Sequence, residues 1–106
     1  QMKKYVAALI LFSASAHAGF FDGNKLYKYM QDNTNSFFAM GYVSGVHDAG
    51  DKAVFCTPDS VRVGQIFDLI KLHLEMNPAD RHEAADIIIM RVLKQHYPCP
   101  NRGTRS

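Results

Sequence analysis

Apolar residues recur along this chain at helical spacing, in blocks separated by short polar stretches rich in Asn, Asp, Gly and Pro. Asn24 to Asp32 carries Leu26, Tyr27, Tyr29 and Met30 and predicts a short first helix. Asn33-Thr34-Asn35 reads as a turn that supplies an N-cap, from which a central helix runs to about Asp51. Lys52 to Val63 contains Cys56, Pro58, Asp59 and Ser60, a composition that predicts a connecting loop. A third helix follows from about Gly64 to Met76, with Ile66, Leu69, Ile70 and His73 on one stripe and Asp68, Lys71 and Glu75 on the solvated side. Asn77-Pro78 ends it. Asp80 followed by Glu83 resembles a capping box that starts a last helix, continuing to about His96 with Ala85, Ile88, Ile89, Val92 and His96 as its core face. No segment alternates at the period of a strand. The pattern predicts an all-α fold, a small disulfide-stapled bundle of four helices, or five with an extra turn.

The central helix is the unusual one. Between Phe37 and Ala49 only Ser44, His47 and Asp48 are polar, so the helix is expected to be wrapped by other elements. Inside it, Gly41 and Gly45 each cost about 1 kcal/mol relative to alanine. Their spacing suits helix packing at Gly41, Tyr42 and Gly45, with close approach of another backbone as the compensation. On the last helix Ile87 and Met90 project among Glu83, Asp86 and Lys94. Two apolar groups among charges mark a partner surface, unless the first helix or a second copy of the chain covers them.

Targeting and charge change the picture next. Gln1 precedes Met2 and is read as a remnant without functional weight. Lys3 and Lys4, the apolar run from Tyr5 to Phe12, and Ala16-His17-Ala18 form a secretory signal with cleavage after Ala18. At 14 residues, Tyr5 to Ala18 falls short of the roughly 20 needed to span a bilayer, which argues against a stable membrane anchor. Removing residues 1–18 leaves 88 of 106 residues, enough for one helical domain over 19–100 with a flexible tail at 101–106. Lys3 and Lys4 leave with the signal, so 10 basic residues stand against 10 acidic ones. Dispersed and balanced charge gives no electrostatic footprint for nucleic acid.

Cys56 and Cys99 are expected to pair in an oxidising compartment, closing a separation of 43 residues for about 4 kcal/mol of stabilisation. A redox couple or a thiolate metal site would call for a C-x-x-C spacing, which is absent. His47 and Asp48 invite an acid–base reading, yet helix neighbours point about 100° apart and are not expected to orient one another. His47, His73, His82 and His96 include no pair at i and i+3 or i+4, so neither a metal nor a cofactor is expected. Ser44 lacks a strand-to-helix elbow, and no glycine-rich turn is present to cradle phosphate. The sequence predicts a protein that is not an enzyme.

Gly41-Tyr42-Val43-Ser44-Gly45-Val46-His47-Asp48, then Phe55-Cys56-Thr57-Pro58, Gln65, Pro78 and finally Tyr97-Pro98-Cys99 occur in an order that resembles the Rap/Tai immunity proteins. The resemblance spans about residues 24–99. It implies a periplasmic, mainly helical, often dimeric protein that binds and occludes a peptidoglycan amidase delivered by the type VI secretion system. Cys56 and Cys99 carry over as the structural disulfide, and Gly41, Tyr42 and Gly45 as the packing helix. Many relatives carry further cysteines in the first helix and before the Gly-Tyr pair, where this chain has Met30, Phe38 and Met40. Contact residues for a toxin are expected in the loop from Gly50 to Ser60, at Asp51, Lys52 and Asp59, and on the Ile87/Met90 face. A periplasmic acid-stress chaperone is the rival reading, in which protonated carboxylates loosen the chain and expose apolar surface.

Overall fold

A computed structural model describes residues 21–100. The expected signal at 1–18 and tail at 101–106 lie outside the described residues. Four α-helices follow in order: α1 (Gly23–Gln31), α2 (Ser36–Gly50), α3 (Val63–Met76) and α4 (Ala85–His96), with a 3-10 turn at Pro78–Asp80. Among the described residues there is no strand, only isolated bridges between Asp22 and Ala84 and between Asp51 and Phe55. The fold is the all-α, disulfide-stapled bundle that the helical periodicity predicts.

Local chemistry sets the helix starts. Asp22 Oδ1 accepts the Lys25 N–H at 2.9 Å and caps α1. At α3, Gln65 Oε1 accepts the Arg62 N–H at 2.7 Å, the reciprocal half of a capping box. The end of α3 is closed from a distance: Arg81 Nε donates to the Leu74 carbonyl at 2.6 Å while its guanidinium stacks 4.4 Å over the Tyr27 ring.

The expected capping box at Asp80 and Glu83 does not form. The 3-10 turn takes Asp80, and Ala84 is extended where it bridges to Asp22, so α4 begins only at Ala85. Glu83 instead makes a two-pronged pair with Arg91, at 2.6 and 3.2 Å.

The core joins Leu26 and Met30 of α1, Ala39 and Val43 of α2, Ile66, Phe67, Ile70 and Leu74 of α3, and Ala85, Ile88, Ile89, Val92 and Leu93 of α4. Leu93 takes the inward place expected of His96, which ends exposed with its Nδ1 3.1 Å from the Val92 carbonyl. Phe55 reaches the core from the loop and is fully covered.

The central helix departs from expectation. It buries one side only, and Phe37 is 86% and Phe38 55% exposed. A Cβ built on Gly41 or Gly45 would meet nothing within 4 Å, so no element of the described chain packs on these glycines. Close approach occurs at two others. At Gly23 a Cβ would stand 2.9 Å from the Arg81 backbone, and at Gly50 it would stand 2.6 Å from both Met90 Sδ and Phe55 Cε2. The physical reason is that α2 lies against α1, α3 and α4 through Ala39 and Val43, which turns the glycine side outward.

Candidate functional site: a braced loop and an open helix face

The loop that leaves α2 is braced from several directions. Asp51 Oδ1 accepts the Thr57 N–H at 2.9 Å, Lys52 Nζ donates to the Thr57 carbonyl at 3.2 Å, and the Lys52 N–H donates to the Phe55 carbonyl at 2.6 Å. Lys52 takes a φ of 72°, a left-handed conformation uncommon for a residue with a side chain. The Thr57 N–H holds the Asp51 carboxyl below its ordinary pKa, with nearby Lys52 and His47 acting in the same direction against partial desolvation. Cys56 is tied twice to the end of α4, by its N–H to the Tyr97 carbonyl at 2.7 Å and by the disulfide to Cys99. Asp59 and Lys52 stay exposed on this scaffold.

His47 is oriented by a residue from outside its helix. Its Nε2 lies 3.0 Å from Thr57 Oγ1 and its Nδ1 3.3 Å from Asp48 Oδ1. Thr57 supplies the fixed partner that Asp48 alone would not. The order of carboxylate, imidazole and hydroxyl resembles a nucleophile relay, but Thr57 is only 6% exposed and its hydroxyl is closed in by the loop. A cleft of about 280 Å³ lies beside it, lined by Ser44, His47, Asp48, Val61, Arg62 and Ile66 among others. Among the described residues, no group of three His, Cys, Asp or Glu side chains is placed to hold a metal ion.

The second region is the outer face shared by α2 and α4. Ile87 is 54% exposed, whereas Met90 is half-buried against Gly50 and Phe55. Tyr42 lies between the helices, its ring 4.7 Å from that of Phe21. Burial pushes the Tyr42 hydroxyl above its ordinary pKa, the Asp86 charge adds to the rise, and the Asp86 N–H opposes it. The structure thus brings Asp51 and Lys52 together in one loop and Gly41, Tyr42, Gly45 and Met90 along one groove, while Asp59 and Ile87 stand apart. Thr57, which organises the loop, was missed by sequence reasoning. Only its place beside Cys56 and Pro58 hinted at it.

The described chain thus presents a covered hydroxyl, a braced loop and an open apolar helix face. The model of the Rap1a immunity proteins matches residues 22–99. The chain belongs to that family. It is an immunity protein, whose role implies binding a toxin partner. No curated protein and no solved structure matches it.

Proposed function

We propose that this chain is exported by its N-terminal signal, folds in the periplasm with Cys56 and Cys99 paired, and protects its cell by occluding a peptidoglycan amidase delivered by the type VI secretion system. It contributes no chemistry of its own. Family membership over residues 22–99 supports the reading most strongly, and the braced loop supplies its physical means. A loop already held by Asp51, Lys52, Thr57 and the disulfide loses little conformational entropy on entering a cleft, so more of the contact energy appears as affinity.

Toxin contacts then come from Asp51, Lys52 and Asp59 in and beside the loop, and from Ile87 and Met90 on α4. Asp51 and Lys52 shape the loop through their internal hydrogen bonds, and exposed Asp59 and Ile87 are free to meet a partner. Self-association into a homodimer belongs to the same reading, and light scattering on the purified mature chain would return twice the monomer mass.

The test is binding of purified type VI amidases to the oxidised chain by calorimetry, with Asp59→Lys and Ile87→Asp weakening binding while the fold is retained. Failure of every such amidase to bind, with robust suppression of client aggregation at about pH 2 instead, would move the assignment to the acid chaperone.

A further inference from the structure

Beside the braced loop, the cleft of about 280 Å³ between α2 and the start of α3 has two unlike walls. Val61, Val63 and Ile66 make an aliphatic one, on which Val63 is left 47% exposed. His47 and Asp48 make the other, and Arg62 joins the lining from between the two valines.

Both walls are already fixed. The Thr57 hydroxyl lies 3.0 Å from His47 Nε2, the Val61 N–H donates to the Pro58 carbonyl at 3.1 Å, the Arg62 N–H donates to Gln65 Oε1 at 2.7 Å, and Ile66 is anchored in the core. A cleft held in this way has little ordering cost left to meet when a partner enters.

The two full charges in the lining differ in what surrounds them. Asp48 Oδ1 has His47 Nδ1 at 3.3 Å, and the Asp48 side chain is 83% exposed, so that charge is both partnered and solvated. Arg62 has neither advantage from a carboxylate: among the described residues the ion pairs join His47 to Asp48, His73 and Arg91 to Asp80, and Arg91 to Glu83. A guanidinium presents its donors in a planar fork that matches a carboxylate through two parallel hydrogen bonds. The unmatched charge of the cleft is therefore positive, and it stands beside the aliphatic wall. A bare anion would leave Val61, Val63 and Ile66 uncovered, and a purely apolar group would leave the guanidinium unpaired.

We propose that this cleft receives an aliphatic side chain of a protein partner together with an adjacent carboxylate, the first on Val61, Val63 and Ile66 and the second on the Arg62 guanidinium. It deepens, and rests on, the reading that the chain binds a protein toxin. Besides presenting a loop, the protein then accepts a side chain of the toxin next to that loop, and Arg62 selects among toxins by charge.

The experiment titrates the isotope-labelled, oxidised chain with leucyl-glutamate blocked at both ends, so that the glutamate carboxylate is the probe's only charge, and follows the NMR spectrum. Saturable shifts are expected at Arg62, Val63 and Ile66. Binding should weaken at least about tenfold in Arg62→Gln and with blocked leucyl-glutamine, and should tighten in Asp48→Asn, which removes the opposing charge. No saturable shift, equal binding of the two probes, or binding unchanged in Arg62→Gln overturns the inference. The same shifts with acetate alone would make the cleft a site for simple anions and overturn it as well. A second arm measures purified type VI amidases against Arg62→Glu by calorimetry. An amidase that binds parent and variant alike sinks the inference and leaves the immunity reading standing. The expected peptide behaviour with no amidase bound sinks the amidase assignment and supports the cleft's partner chemistry.

Discussion

Thr57 holds three partners at once: its N–H donates to Asp51, its carbonyl accepts from Lys52 Nζ, and its hydroxyl meets His47 Nε2. Thr57→Val keeps the shape and the backbone bonds but removes the hydroxyl, and should cost about 1 kcal/mol, read as a lower urea midpoint at unchanged slope. A lone threonine in a loop has no periodicity, and its partner His47 lies ten residues away in the preceding helix, so the sequence carried little sign of the contact. Two carboxyls give a pH dependence whose sign is fixed. The Thr57 N–H holds the Asp51 carboxyl below its ordinary pKa, and the Arg91 hydrogen bonds do the same for Glu83. Groups with depressed folded pKa values contribute stability above the unfolded values and lose it as pH falls through the folded ones. Thermal melts should therefore drop as pH falls below about 4, and Asp51→Asn should flatten part of that drop.

Among the elements, helix existence was legible and helix environment was not. Apolar spacing found α1 to α4, and Gln65 near the start of α3 is explained by its bond to Arg62. The displaced start of α4 was invisible because the bridge from Asp22 to Ala84 joins segments far apart in sequence. Glycines show the same limit. Their spacing pointed to packing at Gly41 and Gly45, whereas the crowded positions are Gly23 and Gly50. Gly23→Ala should destabilise by about 1–3 kcal/mol because the new Cβ meets the Arg81 backbone, which cannot turn aside as a side chain does. Gly64→Ala, where a Cβ meets nothing within 4 Å, should instead stabilise by about 0.5–1 kcal/mol. Denaturant unfolding of the pair checks both signs.

For the whole molecule, one covalent tie joins the loop after α2 to the end of α4 across a separation of 43 residues. Chain entropy assigns such a closure about 4 kcal/mol, a large share of the roughly 5–15 kcal/mol that holds a domain of this size. Reduction, or Cys56→Ser with Cys99→Ser, should lower the Tm by well over 10 °C and release the loop, by about 4 °C or more per kcal/mol lost. Binding should fall with it if the loop acts as a preformed wedge. The pairing was legible in two cysteines of a chain expected to be exported, and the family in the order of its landmarks. The contact surface was not, since affinity for a partner resides in exposed side chains that obey no period. Digestion of peptidoglycan by a purified type VI amidase, followed while the oxidised mature chain is titrated in, tests the central claim most directly. Hydrolysis is expected to stop at a stoichiometric ratio, with the two proteins eluting as one complex. Undiminished hydrolysis by each such amidase at large excess of the chain, with no complex formed, would contradict it.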